Sequence, residues 1–327
     1  MAPCQSPLAQ AKNAAGRQIH NKDRYPSCVQ VFHSDRYTFP LPVEHRFPLT
    51  KYGLLRERVE QLPRSAGAIL VPAPRVLLED LLLVHEAGYV DDFCHGRMTR
   101  EAMQRIGFPW SPCLVERTLR SCGATVAASH AALSDGASLY LAGGTHHARR
   151  DQGAGYCVFN DCAVSARVLQ QHGIERVLII DTDVHQGDGT AAIFAHDDSV
   201  FTFSIHGDRN FPATKAHSDL DIALPTGTRD VDYLAALTTG LDLAFARSEP
   251  QFVLFLSGAD PHEGDRLGTL ALTKDGILRR DQLVYAAIRA RKLPCVTVMG
   301  GGYGKRLDDT VDIYFATVQA ALAAAKD

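Results

Sequence analysis

The sequence predicts a single α/β domain built on an open, doubly wound parallel sheet with helices on both faces. Three observations carry this expectation. Short apolar runs of strand length alternate with longer segments of helical periodicity, which is the pattern of βαβ units. The 327 residues, 46% hydrophobic and 22% charged, suit one large globular domain with a sizeable core. Each apolar run also ends in glycine, acid or histidine, so the polar clusters fall on one edge of the sheet, where open α/β sheets bind ligands.

Residues 1–25 are mostly small and polar, lack the apolar core of a secretory signal, and read as a flexible tail ahead of a domain spanning 26–327. Pro40, Pro42 and Pro48 punctuate an irregular entry segment. Helical patterns follow at 54–62 and 76–85, then a longer one at 114–133 with Pro112 near its start. Strand-like runs lie at 138–142, 176–180, 200–205, 252–256 and 295–299. Helices are expected between and after them at 160–172, 189–195, 231–247, 281–291 and 309–325. No repeat or linker interrupts the chain after about residue 30.

The composition narrows the function classes. A formal net charge of −3 gives no basis for direct nucleic-acid binding but allows a basic peptide or amine partner. No stretch has the length of a membrane-spanning helix. Eight cysteines, none in a C-x-x-C pair, read as reduced packing thiols of a cytoplasmic protein.

The chemistry gathers at four strand ends. Asp183 and His185 are two apart, so in extended chain they point the same way, and Asp260 can reach the same point from a neighbouring strand end. One histidine and two carboxylates leave positions open for water and substrate, the plan of a catalytic metal site. Zinc is the expected ion, one per chain, although the donor set also suits iron(II). Alone, such a pair reads better as a helix cap near Gly189; Asp260 and the adjacent His146–His147 reverse that reading in favour of a metal. Two imidazoles, each oriented by a carboxylate, can supply a base for water and an acid for a leaving amine, and Asp181 and Asp188 are the natural partners. Tyr303 follows three glycines that permit close approach; its phenol could hydrogen-bond a developing oxyanion, or simply pack.

Taken together, GGTHHA (143–148), GYCVFND (155–161), DTDVHQGDGT (181–190), SGADPHEGDRLG (257–268) and GGGY (300–303) resemble the histone deacetylase superfamily, from about Val31 to the C-terminus. The opening 31–52 and EGDRLG look closest to the class IV branch and its bacterial amidohydrolase relatives. The resemblance implies the arginase/deacetylase fold, with a parallel sheet of about eight strands, and a deacetylase catalytic domain over 26–327. It implies Asp183, His185 and Asp260 as zinc ligands, His147 with Asp188 as general base, His146 with Asp181 as electrostatic or acid partner, and Tyr303 polarising the scissile carbonyl. It implies a structural potassium ion at Asp181, Asp183, His185, Ser204 and the Ile205 carbonyl. It also implies an acyl-lysine tunnel walled by Gly155, Tyr156, Phe211 and Leu267. Tyr156 stands where many relatives carry phenylalanine, and Gln186 replaces a histidine common in other branches. The expected activity is zinc-dependent removal of acetyl, and possibly longer fatty acyl, groups from lysine side chains in proteins or peptides. The alternatives are an acetylpolyamine amidohydrolase, gated by Glu263 and Asp265, and a catalytically inactive acyl-lysine binder. An arginase-like ureohydrolase would need two manganese ions and more aspartates than surround Asp260.

Overall fold

A computed structural model describes residues 28–326; the expected tail at 1–25 lies outside them. Eight strands form one sheet: β1 (Val29–His33), β2 (Ala68–Pro72), β3 (Ala137–Tyr140), β4 (Val177–Asp181), β5 (Val200–Gly207), β6 (Leu220–Leu224), β7 (Phe252–Ser257) and β8 (Cys295–Met299). Their order is β2-β1-β3-β8-β7-β4-β5-β6, and every pairing is parallel. Ten helices connect and flank them: α1 (Lys51–Glu60), α2 (Leu78–Leu82), α3 (Ala87–Cys94), α4 (Arg100–Ile106), α5 (Pro112–Asp135), α6 (Asp161–Gln171), α7 (Asp188–Phe194), α8 (Asp230–Ser248), α9 (Lys274–Ala290) and α10 (Leu307–Ala324).

A parallel sheet covered on both faces needs strands that are apolar throughout, and β7 is buried along its whole length. Alternate side chains go to opposite layers. Leu254 and Leu256 pack with α5 and α6, whereas Val253 and Phe255 pack with α8, α9 and α10. Each such fully buried leucine or phenylalanine contributes roughly 1.5–3 kcal/mol of transfer free energy. Four of the helices, α4, α5, α6 and α9, begin where a side chain satisfies a free backbone N–H group. Ser111 accepts from Leu114 N at 3.1 Å with Pro112 behind it, and Asn160 Oδ1 accepts from Ala163 N at 3.0 Å. Gly136, at φ 84°, ends α5 in the left-handed conformation open to glycine.

The single doubly wound sheet is as expected, with differences at its margins. β1, β2 and β6 were not anticipated. β2 and β6 are edge strands with half-exposed patterns, so neither reads as a continuous apolar run of the kind that marks the buried strands. The 76–85 helix shrinks to α2, and α3 and α4 are further short helices. α9 begins seven residues before the expected 281, because Thr273 caps it by accepting from Gly276 N at 2.9 Å.

Candidate functional site

β3, β8, β7 and β4 are contiguous in the middle of the sheet, and the segments leaving their carboxyl ends meet at one cavity of about 570 Å³. β3 leads into Gly143–His147. Asp161, the first residue of α6, holds this turn: its carboxylate accepts from Gly144 N (3.1 Å), Thr145 N (2.8 Å), Thr145 Oγ1 (2.5 Å) and Thr125 Oγ1 (2.6 Å). The two histidines are buried with ring centroids 4.1 Å apart, and each has its own carboxylate. His146 Nδ1 lies 2.6 Å from Asp181 Oδ2, and His147 Nδ1 lies 2.7 Å from Asp188 Oδ1. Arg149 donates to the other oxygen of Asp188 at 2.9 Å.

The two imidazoles differ electrostatically. Burial alone would lower His146, but the charges of Asp181 and Asp183 overcome it and push it up to about 9. Burial, followed by the repulsion of His146, outweighs Asp188 and takes His147 down to about 3. One ring is thus a cation and its neighbour a neutral base.

Asp183, His185 and Asp260 come together from the ends of β4 and β7, with donor atoms all within 4.8 Å of one another. Asp183 Oδ1 accepts from His185 N, and its Oδ2 from Gly301 N at 2.5 Å. Asp260 Oδ1 accepts from Val184 N at 2.9 Å, while its Oδ2, fully buried, has no hydrogen-bond partner. His185 Nδ1 stands 2.9 Å from Asp183 Oδ1 and 3.3 Å from Asp260 Oδ2. Burial and the nearby Asp183 push Asp260 up to about 7, the mark of carboxylates crowded without enough positive charge. An orphaned carboxylate oxygen beside a second carboxylate and an imidazole is a donor set fitted to a divalent cation. A Cβ on Gly301 would lie 1.9 Å from Asp260 Oδ2, so only glycine lets the β8 turn come so close.

The expected potassium residues also converge. Asp181 pairs in register with Ser204 on neighbouring strands, Asp183 N donates to Asp181 Oδ1, and Ser204 and Ile205 are buried beside them.

Tyr303 is buried above this cluster. Burial, then the charges of Asp183 and Asp260, raise its phenol well above the ordinary value, so it stays an O–H donor. The wall residues all line the cavity. Gly155 lets the wall touch His147, since a Cβ there would lie 2.6 Å from its ring. Phe211 stands edge-on to His147 at 4.8 Å and is 46% exposed at the rim. The 206–213 loop is pinned in place: Asn210 is buried, donates to Leu267 O at 2.8 Å and accepts from Thr269 Oγ1 at 2.6 Å. Gly143, Gly144, Gly300, Lys51 and Tyr52 also line the cavity.

Lys51 went unrecognised in the sequence. It is 1% exposed, donates to Gly302 O at 3.0 Å, and sits 5.1–5.5 Å from the rings of Phe47, Tyr52, Tyr303 and Tyr314. Tyr314 takes the carbonyls of Gly300 and Gly301 at 2.6 and 2.9 Å. Two side chains therefore hold the three carbonyls that precede Tyr303. A lysine opening a helix gives no sequence signal for this; only the buried contacts do.

Such an arrangement defines a family. Residues 45–318 match the histone deacetylase domain, and the chain belongs to that family. It is 45% identical over 286 residues to an uncharacterized protein of Picosynechococcus sp., covering 86% of this chain and 94% of that one. It is 28% identical to histone deacetylase 2 of Arabidopsis thaliana, over 79% of this chain and 66% of the relative. The acetoin utilization protein AcuC of Staphylococcus aureus is 29% identical over 70% and 65% of the two chains. Among solved structures, the HDA15 HD domain superposes with a TM-score of 0.76 at 23% identity, covering 91% of this chain and 89% of that one. The deacetylase homologue of Aquifex aeolicus gives 0.76 at 22%, covering 90% and 84%. The fold is thus that of the deacetylases, and family membership makes the chain a deacetylase-type hydrolase.

Proposed function

We propose that the protein is a zinc-dependent lysine deacylase. The observation that carries this reading is the convergence of two buried His–Asp pairs and one buried phenol on the Asp183–His185–Asp260 donor set. Asp183, His185 and Asp260 would hold the zinc ion, and Asp181, Asp183, His185, Ser204 and Ile205 a structural potassium ion. When bound, zinc supplies Lewis-acid chemistry, polarising an amide carbonyl and acidifying water. The chain's own residues do the rest. The tunnel of Gly155, Tyr156, Phe211 and Leu267 takes the acyl-lysine stem and excludes water. Tyr303 donates its O–H to the carbonyl oxygen as negative charge develops there. His147, neutral and fixed by Asp188, takes a proton from the attacking water at Nε2, because Nδ1 faces its carboxylate. His146, cationic beside Asp181, stabilises that negative charge. A protonated imidazole then returns a proton to the departing amine. The products are a carboxylate and a lysine ammonium.

An acetylated polyamine as substrate has less support. Asp265 is buried and accepts from Leu267 N, Gly268 N and Tyr303 N, so it is unavailable as an acidic gate, and Glu263 does not border the cavity. One panel tests the reading: acetyl-, octanoyl- and myristoyl-lysine peptides and acetylated polyamines, with metal analysis of the same protein. About one zinc per chain and turnover of the peptides are expected. Each buried CH₂ is worth ~0.8 kcal/mol, so kcat/KM should rise from acetyl to the longer chains. A steady fall with length would leave the deacylase reading standing and remove the long-chain preference. Full activity in metal-stripped protein would sink the zinc reading.

A further inference from the structure

Among the described residues, Asp183, at the floor, is the only carboxylate lining the cavity. The outer wall carries Arg105, from the last turn of α4, and Arg209, from the loop after β5, both exposed. Arg46 and Arg266 are also exposed: Arg46 lies between His45 and Phe47, whose rings stand 5.8 and 5.2 Å from that of Tyr156, and Arg266 reaches the backbone of Tyr303. Among the described residues, none of these four guanidiniums has a carboxylate within 4.0 Å. Some arginines elsewhere are paired, such as Arg56 with Asp35, Arg149 with Asp188 and Arg167 with Asp197, and others are not, so what distinguishes the four is their place around one opening. Arg266 commits Nε to the Tyr303 carbonyl at 3.0 Å, which leaves its terminal nitrogens for other partners. The position of Arg105 suits the negative end of α4, but that accounts for one arginine and not for four.

We propose that this arginine rim selects acyl-lysine side chains presented by acidic segments. This inference rests on the deacylase reading above and names the class of substrate. The acylated side chain is neutral and enters the tunnel whatever surrounds it. Its flanking residues stay at the rim, within reach of Arg46, Arg105, Arg209 and Arg266. Guanidinium groups bind carboxylates through paired, charge-assisted hydrogen bonds. A basic tail would instead meet like charge. The net charge of −3 allows a basic partner, but the arginines at the mouth would repel one.

The test uses the full-length zinc-loaded protein and three peptides with the same central acyl-lysine, flanked by aspartate and glutamate, by serine and glycine, or by lysine and arginine. Binding is read by fluorescence anisotropy and turnover as kcat/KM, each at low and high salt. Two or three exposed ion pairs should favour the acidic over the basic peptide by about tenfold at low salt. Screening should bring the ratio towards one at high salt. The charge reversal Arg105→Glu with Arg209→Glu should invert the order. Equal binding and turnover of all three peptides would overturn the rim proposal and leave the deacylase reading intact. So would a preference unchanged in the reversed variant. Tighter binding of the acidic peptide with no turnover of any peptide would instead uphold the rim and remove the deacylase reading.

Discussion

His146 and His147 are adjacent and have similar partners, yet their surroundings set them apart. His147 lies between a carboxylate and a charged neighbour and stays neutral; His146 lies between Asp181 and Asp183 and stays charged. A neutral ring can accept a proton, and a cation can only stabilise charge or give a proton up. His147→Ala should therefore lower kcat by roughly 10²–10⁴-fold, and by more than His146→Ala does, with zinc content retained in both. Turnover and metal analysis on the same samples check this, and a silent substitution at either position would show that its role is misassigned. Asp183→Ala and Asp260→Ala belong to a different class. Each deletes a donor, so zinc and activity should disappear together while the circular dichroism of the fold persists.

At the scale of elements, His85 follows α2 and joins two loops to the site. Its Nδ1 is 2.9 Å from the Arg149 carbonyl, and its Nε2 accepts from Asn160 N at 2.9 Å. Both nitrogens are engaged in the neutral form, and burial first of all lowers its pKa to about 4. An unfolded histidine titrates near 6.5, so below that pH the unfolded chain takes up a proton that the folded one refuses. The stability held above pH ~6.5 is thus lost progressively as pH falls towards 4, on the order of 3 kcal/mol from this residue. His85→Gln should keep the acceptor facing Asn160 and flatten that loss, measured as urea midpoints between pH 7 and 5. The same elements show how far the sequence is legible. Five of the six inner strands were readable because a strand buried on both faces is continuously apolar, whereas the short run of β1 is broken by Gln30; the polar residues after the five were readable because they follow the strand ends. Lys51, Tyr314, Asp161 and the rim arginines were not, since each acts across the fold on a carbonyl, a turn or an opening that exists only after packing. Arg280 is the clearest example. It falls outside the expected 281–291 helix, yet in α9 it is fully buried and donates to Gly258 O at 2.6 Å and to Ser257 Oγ at 2.6 Å, behind Asp260.

At the scale of the molecule, the strand order separates position in the sheet from position in the chain. β7 and β8 occupy the centre, between β3 and β4, although they are the last strands in sequence. A chain ending after α9 would leave β3 and β7 with open edges and their apolar faces uncovered by α10. Such a truncation should be insoluble or melt without a cooperative transition, as solubility and thermal scans would show. The ribosome therefore delivers the middle of this sheet last. While Asp183 and His185 emerge, Asp260 and the Gly301 amide do not yet exist, and the nascent chain holds only part of a metal site. Zinc uptake should accordingly follow closure of the sheet and never lead it. In refolding experiments, added zinc should leave the rate of sheet formation unchanged and slow only unfolding. Acceleration of folding by zinc would show that the ion is captured before the sheet has closed.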